Sequence, residues 1–298
     1  MNPTAPAPAP SSAASPAPAG TPADAADGFG RLAFVGGGNM ASALIGGLIA
    51  RGAAPASIAV LDPSAGQRAA LSARFGVATH DDPAAALAGA DVVVLAVKPQ
   101  QMRAAATAVA PHVTGALVLS VAAGVRGADL ARWLGGHARI VRTMPNTPAL
   151  IGMGATGLAA LAGATAADRA RAERILQAVG QTVWVDDEDR LDAVTALSGS
   201  GPAYVFRLIE AMIDAGVGLG LSAEQARRLA LQTVAGAAQL AAGSDEPPAV
   251  LRERVTSTGG TTAAALEVMQ RRDLPGLVAE AMAAAERRSR ELGRAFGD

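Results

Sequence analysis

The sequence has 298 residues, a formal net charge of −1 and no cysteine. The length allows one large domain or two ordinary ones, and the near-neutral charge argues against a nucleic-acid partner or an anionic membrane surface. The lack of cysteine excludes disulfides and thiolate chemistry, which suits a reducing cytoplasm. No apolar run reaches membrane-spanning length, so we expect no membrane partner. The three histidines are scattered without a ligand spacing, and we expect no metal site.

The first 29 residues are rich in alanine, proline and serine, and they lack the basic start and apolar stretch of a signal peptide. Such a composition buries too little apolar surface to offset the entropy of ordering. We therefore predict a disordered tail over residues 1–29, followed by a folded domain from residue 30.

A glycine-rich turn follows the first predicted strand, Leu32–Val35, and a segment of helical length comes after the turn. Gly36 would allow a tight turn, Gly38 would let a pyrophosphate approach the backbone, and Ala41 would pack helix against strand. The free N–H groups of such a helix start favour an anion. The sequence therefore predicts a dinucleotide site, although an ordinary strand-to-helix turn is the alternative. The predicted contacts with the cofactor here are Gly36, Gly37, Gly38, Asn39, Met40 and Ala41.

Further short apolar runs alternate with helical patterns up to residue 187, which predicts a Rossmann-like, doubly wound parallel sheet in a dinucleotide-binding domain of residues 30–187. After Asp186 only helical patterns remain, so residues 188–298 are predicted to form an all-helical substrate and dimerisation domain. The predicted extended segments are Ser57–Leu61, Gly76–Thr79, Asp91–Val97, Ala116–Val121, Arg139–Arg142 and Thr182–Val185.

Ligands of open α/β sheets bind at the carboxyl ends of the strands, where this chain repeatedly has small or polar residues. Asp62 follows the second strand and would bind an adenosine ribose, which favours NADH. Ser64, Gln67 and Arg68 come next and could instead hold a 2′-phosphate. Lys98, the one lysine of the chain, could donate to a ribose hydroxyl or near the nicotinamide, or could be a solvated turn residue. The other predicted cofactor contacts are Ala96, Val97, Pro99, Ala122 and Asn146.

Two segments of the second half predict helix starts with free backbone donors. In Ser198–Phe206 a Ser/Gly loop precedes Pro202, and in Ser257–Thr262 a Ser/Gly/Thr loop precedes another helix. The second loop suits a small carboxylate. An interdomain hinge and an ordinary N-cap are the respective alternatives.

Taken together, six segments resemble pyrroline-5-carboxylate reductases in order and spacing, from about Arg31 to the end of the chain. They are FVGGGNMASALIGGL, LAVKPQ, SVAAGV, RTMPNTPAL, LSGSGPAYVFRLIEAM and STGGTTAAALEVM. One difference lies in the last segment, where Thr258 replaces the proline usual in the family.

The resemblance implies reduction of 1-pyrroline-5-carboxylate to L-proline, the last step of proline biosynthesis, by hydride transfer from NADPH, with NADH also possible. It implies that Thr262 lies beside the imine nitrogen and that the Ser257–Thr262 loop holds the carboxylate, in a site built where two helical domains meet. Thr262 and Lys98 are the candidate catalytic side chains. The predicted substrate contacts are Ser198, Ser257, Gly259, Gly260, Thr261 and Thr262.

Three other functions remain as alternatives. A β-hydroxyacid dehydrogenase would need a lysine in the second half, and this chain has none after Lys98. A reductase of another cyclic imino acid and a noncatalytic NADP-binding regulator are the other two. The segment Ala223–Ala242 has apolar and small residues around much of its girth, which predicts burial on more than one side and hence a homodimer, with higher assembly possible.

Overall fold

The computed structural model describes residues 28–297. The predicted disordered tail lies outside these residues, apart from its last two. Phe29 is buried in the core beside the sheet, and the Gly28 carbonyl accepts a hydrogen bond from Arg174 at 2.9 Å. The tail prediction is therefore wrong for residues 28 and 29, because the Phe29 ring packs against the core and Arg174 holds the Gly28 carbonyl.

The N-terminal half is built on one eight-stranded sheet with the order β3-β2-β1-β4-β5-β6-β7-β8. Neighbouring strands from β3 through to β6 are parallel, β7 runs antiparallel to β6, and β8 is parallel to β7. The strands are β1 (Leu32–Val35), β2 (Ile58–Leu61), β3 (Ala78–His80), β4 (Val92–Leu95), β5 (Leu117–Ser120), β6 (Ile140–Met144), β7 (Gly154–Ala160) and β8 (Gly180–Trp184).

Helices cover both faces of this sheet, as the doubly wound prediction requires. On β1, Leu32 and Phe34 face a layer formed by α1, α2 and α6, whereas Ala33 and Val35 face a layer formed by α3, α4 and α5. The helices are α1 (Asn39–Ala50), α2 (Ala65–Phe75), α3 (Pro83–Leu87), α4 (Pro99–Val109), α5 (Gly127–Trp133) and α6 (Ala166–Gln177). The sheet order reverses between β1 and β4, which opens a crevice at their carboxyl ends.

The sheet is mixed, so the prediction of a wholly parallel sheet is wrong at one edge. The sequence pattern missed β7, whose residues Gly-Ala-Thr-Gly-Leu-Ala-Ala are mostly small and poor in β-branched side chains. Gly157 explains the composition, since a Cβ there would lie 2.7 Å from Val194. Close packing between strand and helix selects small residues at the expense of the strand signal.

The C-terminal half is helical, as predicted. Ser222 and Gln225 form a capping box at the start of helix α9 (Ala223–Ala242). No helix among residues 28–297 is both long and apolar enough to cross a membrane. The helices are α7 (Arg190–Val194), α8 (Gly201–Gly218), α9 (Ala223–Ala242), α10 (Pro248–Arg254), α11 (Thr261–Arg271) and α12 (Leu274–Gly297).

The Ser/Gly segment before α8 is not the predicted loop. Thr195–Gly199 forms a π-helical turn that links α7 to α8, and the Ser200 N–H donates to the Thr195 carbonyl at 2.8 Å. The backbone donors at this point are therefore used inside the helix. A π turn of this kind often marks a functional region.

Candidate functional site

The glycine turn has the geometry that pyrophosphate binding requires. Gly36 has φ +95°, which favours glycine, and a Cβ there would lie 2.9 Å from the Ala96 carbonyl. A Cβ on Gly38 would meet nothing within 4 Å, so the backbone there is open to a ligand. No side chain caps the first turn of α1 and no acid lies in it, while Ala41 is buried against the sheet. This helix start is available to an anion.

Asp62 lies beside this turn at the carboxyl end of β2. One carboxylate oxygen accepts from the Gly37 N–H and the other accepts from the Ser64 N–H, both at 2.8 Å. The Gln67 amide donates to the Gly37 carbonyl and holds the turn from the other side. Asp62 is thus fixed in place by backbone donors, and its carboxylate oxygens can accept further hydrogen bonds.

A cleft of about 680 Å³ lies at the carboxyl ends of β1, β2 and β4, and we call it the glycine cleft. It includes seven of the predicted cofactor residues and adds side chains of α4 that the sequence did not indicate. Its lining consists of Val35, Gly36, Gly37, Gly38, Leu61, Asp62, Pro63, Asp81, Pro83, Ala96, Val97, Lys98, Gln100, Gln101, Ala104, Ala105 and Ala108.

Lys98 is exposed at the N-cap position of α4 and makes no ion pair within residues 28–297. Its ammonium group is therefore free to meet a ligand in the glycine cleft. Asn39, Met40 and Pro99 do not line the cleft: Met40 packs on the core, and Asn39 and Pro99 are the first residues of α1 and α4. Any contact of Asn39 and Met40 with a pyrophosphate would come from their backbone N–H groups.

Arg68, a candidate for binding a 2′-phosphate, already makes hydrogen bonds and an ion pair within the protein. Its guanidinium donates to the carbonyls of Asp62 and Pro63 at 2.8 and 3.1 Å and forms an ion pair with Asp81 at 2.9 Å. The Ser64 hydroxyl accepts from the Gln67 N–H and caps α2. Two carboxylates, Asp62 and Asp81, thus line this part of the glycine cleft, and Arg68 is paired with one of them.

A second cavity of about 410 Å³ lies between the β5–α5 loop and the helical half, and we call it the α12 cavity. Ala123 and Gly124 form its wall on the sheet side, whereas the predicted contact Ala122 is buried beneath them. The residues lining it are Ala123, Gly124, Thr195, Ser200, Tyr204, Ala281, Ala285, Arg288, Ser289 and Leu292.

Asn146 joins the sheet edge to the π-helical turn. Its amide nitrogen donates to the Ser198 carbonyl at 3.0 Å, and its amide oxygen accepts from the Ala155 N–H at 2.8 Å. The Ser198 hydroxyl donates to the Val194 carbonyl at 3.1 Å. Both side chains, predicted as ligand contacts, are thus bonded within the protein, and Asn146 is nearly buried.

The Ser257–Thr262 loop has the predicted form but not the expected neighbours. It turns tightly, with the Gly260 N–H donating to the Ser257 carbonyl at 3.0 Å, and α11 then starts at Thr261 without a side-chain cap. Gly259 has φ +69°, a conformation that favours glycine at this turn. No residue of this loop lines the glycine cleft or the α12 cavity of the same chain.

Buried charges that the sequence analysis did not single out connect the two halves. Arg142 on β6 is buried and donates to Glu188 at 2.8 Å. Burial lowers the pKa of Arg142, and the Glu188 carboxylate partly offsets this effect. Arg126 forms ion pairs with Asp189 and Asp192 at 2.6 and 2.8 Å. No local spacing reveals these pairs, because each joins residues more than 40 positions apart.

Among residues 28–297, no group of three or more histidine or acidic side chains is arranged to hold a metal ion. The site that the geometry offers is an uncapped helix start after a glycine turn, an adjacent acid and an exposed lysine, all at the carboxyl ends of neighbouring strands. Such an arrangement suits a dinucleotide, with a separate cavity at the helical half.

Comparisons with known proteins agree with this geometry. Residues 188–292 match the family model described as pyrroline-5-carboxylate reductase dimerisation, and residues 31–124 match that of NADP oxidoreductase coenzyme F420-dependent. The chain is 52% identical over 268 residues to pyrroline-5-carboxylate reductase of Pseudomonas aeruginosa, covering 90% of this chain and 98% of that protein.

Solved structures give the same result. A pyrroline-5-carboxylate reductase from Coxiella burnetii has a TM-score of 0.86 at 41% identity, covering 89% of this chain and 98% of that one. Plasmodium falciparum pyrroline carboxylate reductase with NADP bound has a TM-score of 0.78 at 30% identity, covering 88% and 98%. The chain therefore belongs to the pyrroline-5-carboxylate reductase family and is an oxidoreductase that uses a nicotinamide cofactor.

Proposed function

We propose that this member of the family reduces 1-pyrroline-5-carboxylate to L-proline, with hydride from NAD(P)H delivered to the ring C=N carbon. The observation that carries the proposal is the open Gly38 backbone at an uncapped helix start, lining a cleft of about 680 Å³. The reaction supplies the last step of proline biosynthesis, and we propose a cytoplasmic location for it.

The glycine cleft would hold the cofactor along its length. The N–H groups that open α1 would bind the pyrophosphate, and Asp62 would accept from the adenosine ribose. Lys98 would donate to the second ribose or to the nicotinamide amide. Bound in this way, the reduced nicotinamide would supply the hydride to the ring C=N carbon, and the Ala122–Gly124 segment beside it would have only to help orient the two reactants.

The substrate would bind at the start of α11. Its carboxylate would accept from the backbone N–H groups behind Gly260, where several donors and the helix dipole share one negative charge. The Thr262 hydroxyl would hydrogen-bond to the imine nitrogen and help to keep it protonated. A protonated C=N accepts a hydride at carbon, and the nitrogen then carries the proton as a secondary amine, so charge and electrons balance without a strong acid or base.

We propose that NADPH and NADH are both accepted, with NADPH the expected cofactor. Arg68 is the cation available for a 2′-phosphate, but Asp81 already neutralises part of its charge. Asp62 favours an unmodified ribose hydroxyl. These opposed groups are the reason to expect a modest preference.

We propose a homodimer whose two sites each use the substrate loop of the other copy. The loop lines neither cavity in its own chain, so a second copy is needed to bring Thr262 to the nicotinamide end. The α12 cavity, beside the Ala123–Gly124 wall, has the volume for a five-membered ring acid.

The reaction is tested by measuring NADPH and NADH oxidation with pyrroline-5-carboxylate, pyrroline-2-carboxylate and piperideine carboxylates side by side, with L-proline identified as product. Turnover of the first substrate well above the others is expected. Faster turnover of another ring would favour the alternative of a different cyclic imino acid. Cofactor binding without turnover of any substrate would favour a noncatalytic NADP-binding regulator.

Subunit mixing tests whether the site is shared between copies. Gly38→Val fills the pyrophosphate position, and Thr262→Ala removes a hydrogen bond worth about 1–3 kcal/mol, a tenfold to hundredfold loss of kcat/KM. In a mixed dimer, a shared site leaves one of the two sites without either change, so activity returns to about half that of the parent. Sites confined to one chain would each keep one defect, and mixing would restore nothing. Thr258→Ala, at an exposed position of the same loop outside the predicted substrate contacts, is the matched control for loss of a hydroxyl.

A further inference from the structure

We infer that the C-terminal end of α12, through Ser289 and Gly293, positions the β5–α5 loop and thereby the nicotinamide end of the cofactor. The inference rests on the proposed function, which assigns the Ala122–Gly124 segment of this loop to the nicotinamide. Neither residue lines the glycine cleft, and the sequence analysis singled out neither. Both are positioning residues that act through the loop rather than by touching the reacting atoms.

The first observation is a contact between two backbones. A Cβ on Gly293 would lie 2.9 Å from the Gly124 carbonyl oxygen and 3.2 Å from Arg126 Nε. From the other side, a Cβ on Gly124 would meet the Gly293 nitrogen at 3.4 Å and the Phe296 ring at 3.5 Å, and Gly124 itself has φ +75°. The loop and the helix approach so closely that Gly293 cannot accommodate a side chain without a shift, and the positive φ of Gly124 favours glycine on the other side of the contact.

A buried hydrogen-bonded chain fixes the same loop at its far end. Ser289 and Asp192 are only 5% and 2% exposed, and the Ser289 hydroxyl donates to Asp192 at 2.6 Å. The second oxygen of Asp192 accepts from Arg126 at 2.8 Å, and Arg126 is the N-cap residue of α5 where the loop ends. Buried and fully bonded groups of this kind are rigid, because breaking one bond leaves a buried polar atom unpaired.

These contacts reach one end of the proposed cofactor site and not the other. Gly124 and Ser289 face each other across the α12 cavity, whereas Asp62 and Asp81 at the adenosine end belong to the glycine cleft. A shift of α12 would therefore move the wall at the nicotinamide end and leave the adenosine end in place. Variants in α12 should therefore weaken contacts at the nicotinamide end alone, whereas general destabilisation would weaken binding at both ends.

The main experiment compares Gly293→Ala with the parent dimer by calorimetric binding of reduced dinucleotide and of ADP, which has no nicotinamide. We expect the Kd of the dinucleotide to rise at least about fivefold and that of ADP to stay within about twofold, since only the nicotinamide end is displaced. Alanine favours a helix more than glycine does, so weakening of α12 cannot cause the loss. Ala295→Val is the matched control, because it adds bulk at an exposed position of the same turn and should bind both ligands as the parent does.

Ser289→Ala is the second variant, and it removes one buried hydroxyl without adding volume. The same split between dinucleotide and ADP is expected, together with a fall in kcat. Parent-like dinucleotide binding in both variants would overturn the inference, and so would equal loss of both ligands. Gly38→Val distinguishes failure of this inference from failure of the proposed cofactor cleft. If Gly38→Val weakens dinucleotide binding while the α12 variants do not, only this inference fails. If Gly38→Val weakens neither ligand, the proposed cofactor cleft fails, and the inference fails with it.

Discussion

The two halves of the chain differ in how much of their apolar surface one copy can bury. In the N-terminal half, the three central strands β1, β4 and β5 are fully buried and both faces of the sheet carry a packed layer. In the C-terminal half, α8 and α11 bury no residue at all, although α8 has 18 residues. The exposed large apolar residues there include Tyr204, Val205, Phe206, Leu208, Val217, Leu219, Leu229, Leu231, Leu240, Val268, Met269, Leu277 and Val278.

An apolar surface this extensive is typical of an interface. The region that matches the dimerisation family, residues 188–292, is the same region that lacks a core of its own. The comparison shows that the N-terminal half has a core independent of any second copy, whereas the helical half needs a further surface against which to pack. Substitutions in the helical half should therefore change dimerisation, whereas substitutions in the N-terminal half should change the stability of the single chain or the binding of the cofactor.

The largest effect is expected from a charge in the exposed apolar surface of α8. Phe206 is 61% exposed in the single chain, and in the proposed dimer Phe206→Glu would bury an unpaired carboxylate. A penalty of about 3 kcal/mol shifts the monomer–dimer equilibrium by at least about a hundredfold. Light scattering should show monomer at concentrations where the parent is a dimer, and turnover should fall in parallel.

Val183→Glu is the matched control for that variant. Val183 is 64% exposed, on edge strand β8 of the N-terminal half, and the same charge there should leave the dimer and the activity unchanged. If Val183→Glu dissociates the dimer while Phe206→Glu does not, then the exposed surface of the helical half is not the interface.

A smaller effect is expected from replacing Asp168. This substitution tests the stability of the N-terminal half by itself. Asp168 is buried at the start of α6 and accepts from Arg139 at 2.6 and 3.1 Å and from the Thr165 N–H at 2.9 Å. The Arg139 guanidinium holds the pKa of Asp168 at about 2. The folded state thus binds this proton more weakly than the unfolded chain does, so the stabilisation is complete above about pH 4 and is lost as the pH falls towards 2.

Asp168→Asn should lower the melting temperature at pH 7 by a few degrees, and the difference should shrink below about pH 4. The pKa shift sets an upper limit of about 2 kcal/mol, and the real value is lower because Arg139 is 38% exposed and screened by solvent. Asp82→Asn is the control, since asparagine caps α3 as well as aspartate does. A melting difference for Asp168→Asn that stays constant from pH 7 to 3 would contradict the linkage.

Some elements of the sheet are predictable from local sequence, and others are not. The apolar runs of β1, β4 and β5 and the glycine turn are local signals, so their positions and the cleft at their ends were predictable. The strand β7 was not, because its small residues are selected by the packing of Gly157 against Val194. Tertiary contact there overrides local strand propensity.

The turn at Thr195–Gly199 and the role of Asn146 were unpredictable for a related reason. Serine and glycine indicate a loop, but here the Ser198 carbonyl is satisfied by Asn146, from a distant part of the chain. Gly293 did carry a signal, since a glycine inside a helical pattern often marks close packing. That signal does not say which segment approaches, and the identity of the partner, Gly124, required the fold.

The smallest expected effect is on cofactor choice, which the N-terminal half should set on its own. Asp81 pairs with Arg68 at the adenosine end of the glycine cleft, and its side chain is 69% exposed. In Asp81→Asn the two carbonyls of Asp62 and Pro63 still hold Arg68, but its charge is no longer neutralised and a carboxylate is gone from the cleft. The KM for NADPH should therefore fall about two- to fivefold, the range expected for one solvent-exposed charge, while the KM for NADH stays near that of the parent.

Steady-state kinetics with each cofactor in turn measure the ratio, with Asp82→Asn as the neighbouring control outside the cleft. An equal change for both cofactors would mean that Arg68 does not meet a 2′-phosphate. A change that disappears at high salt while Asp82→Asn stays parent-like would identify the effect as the removal of a local negative charge.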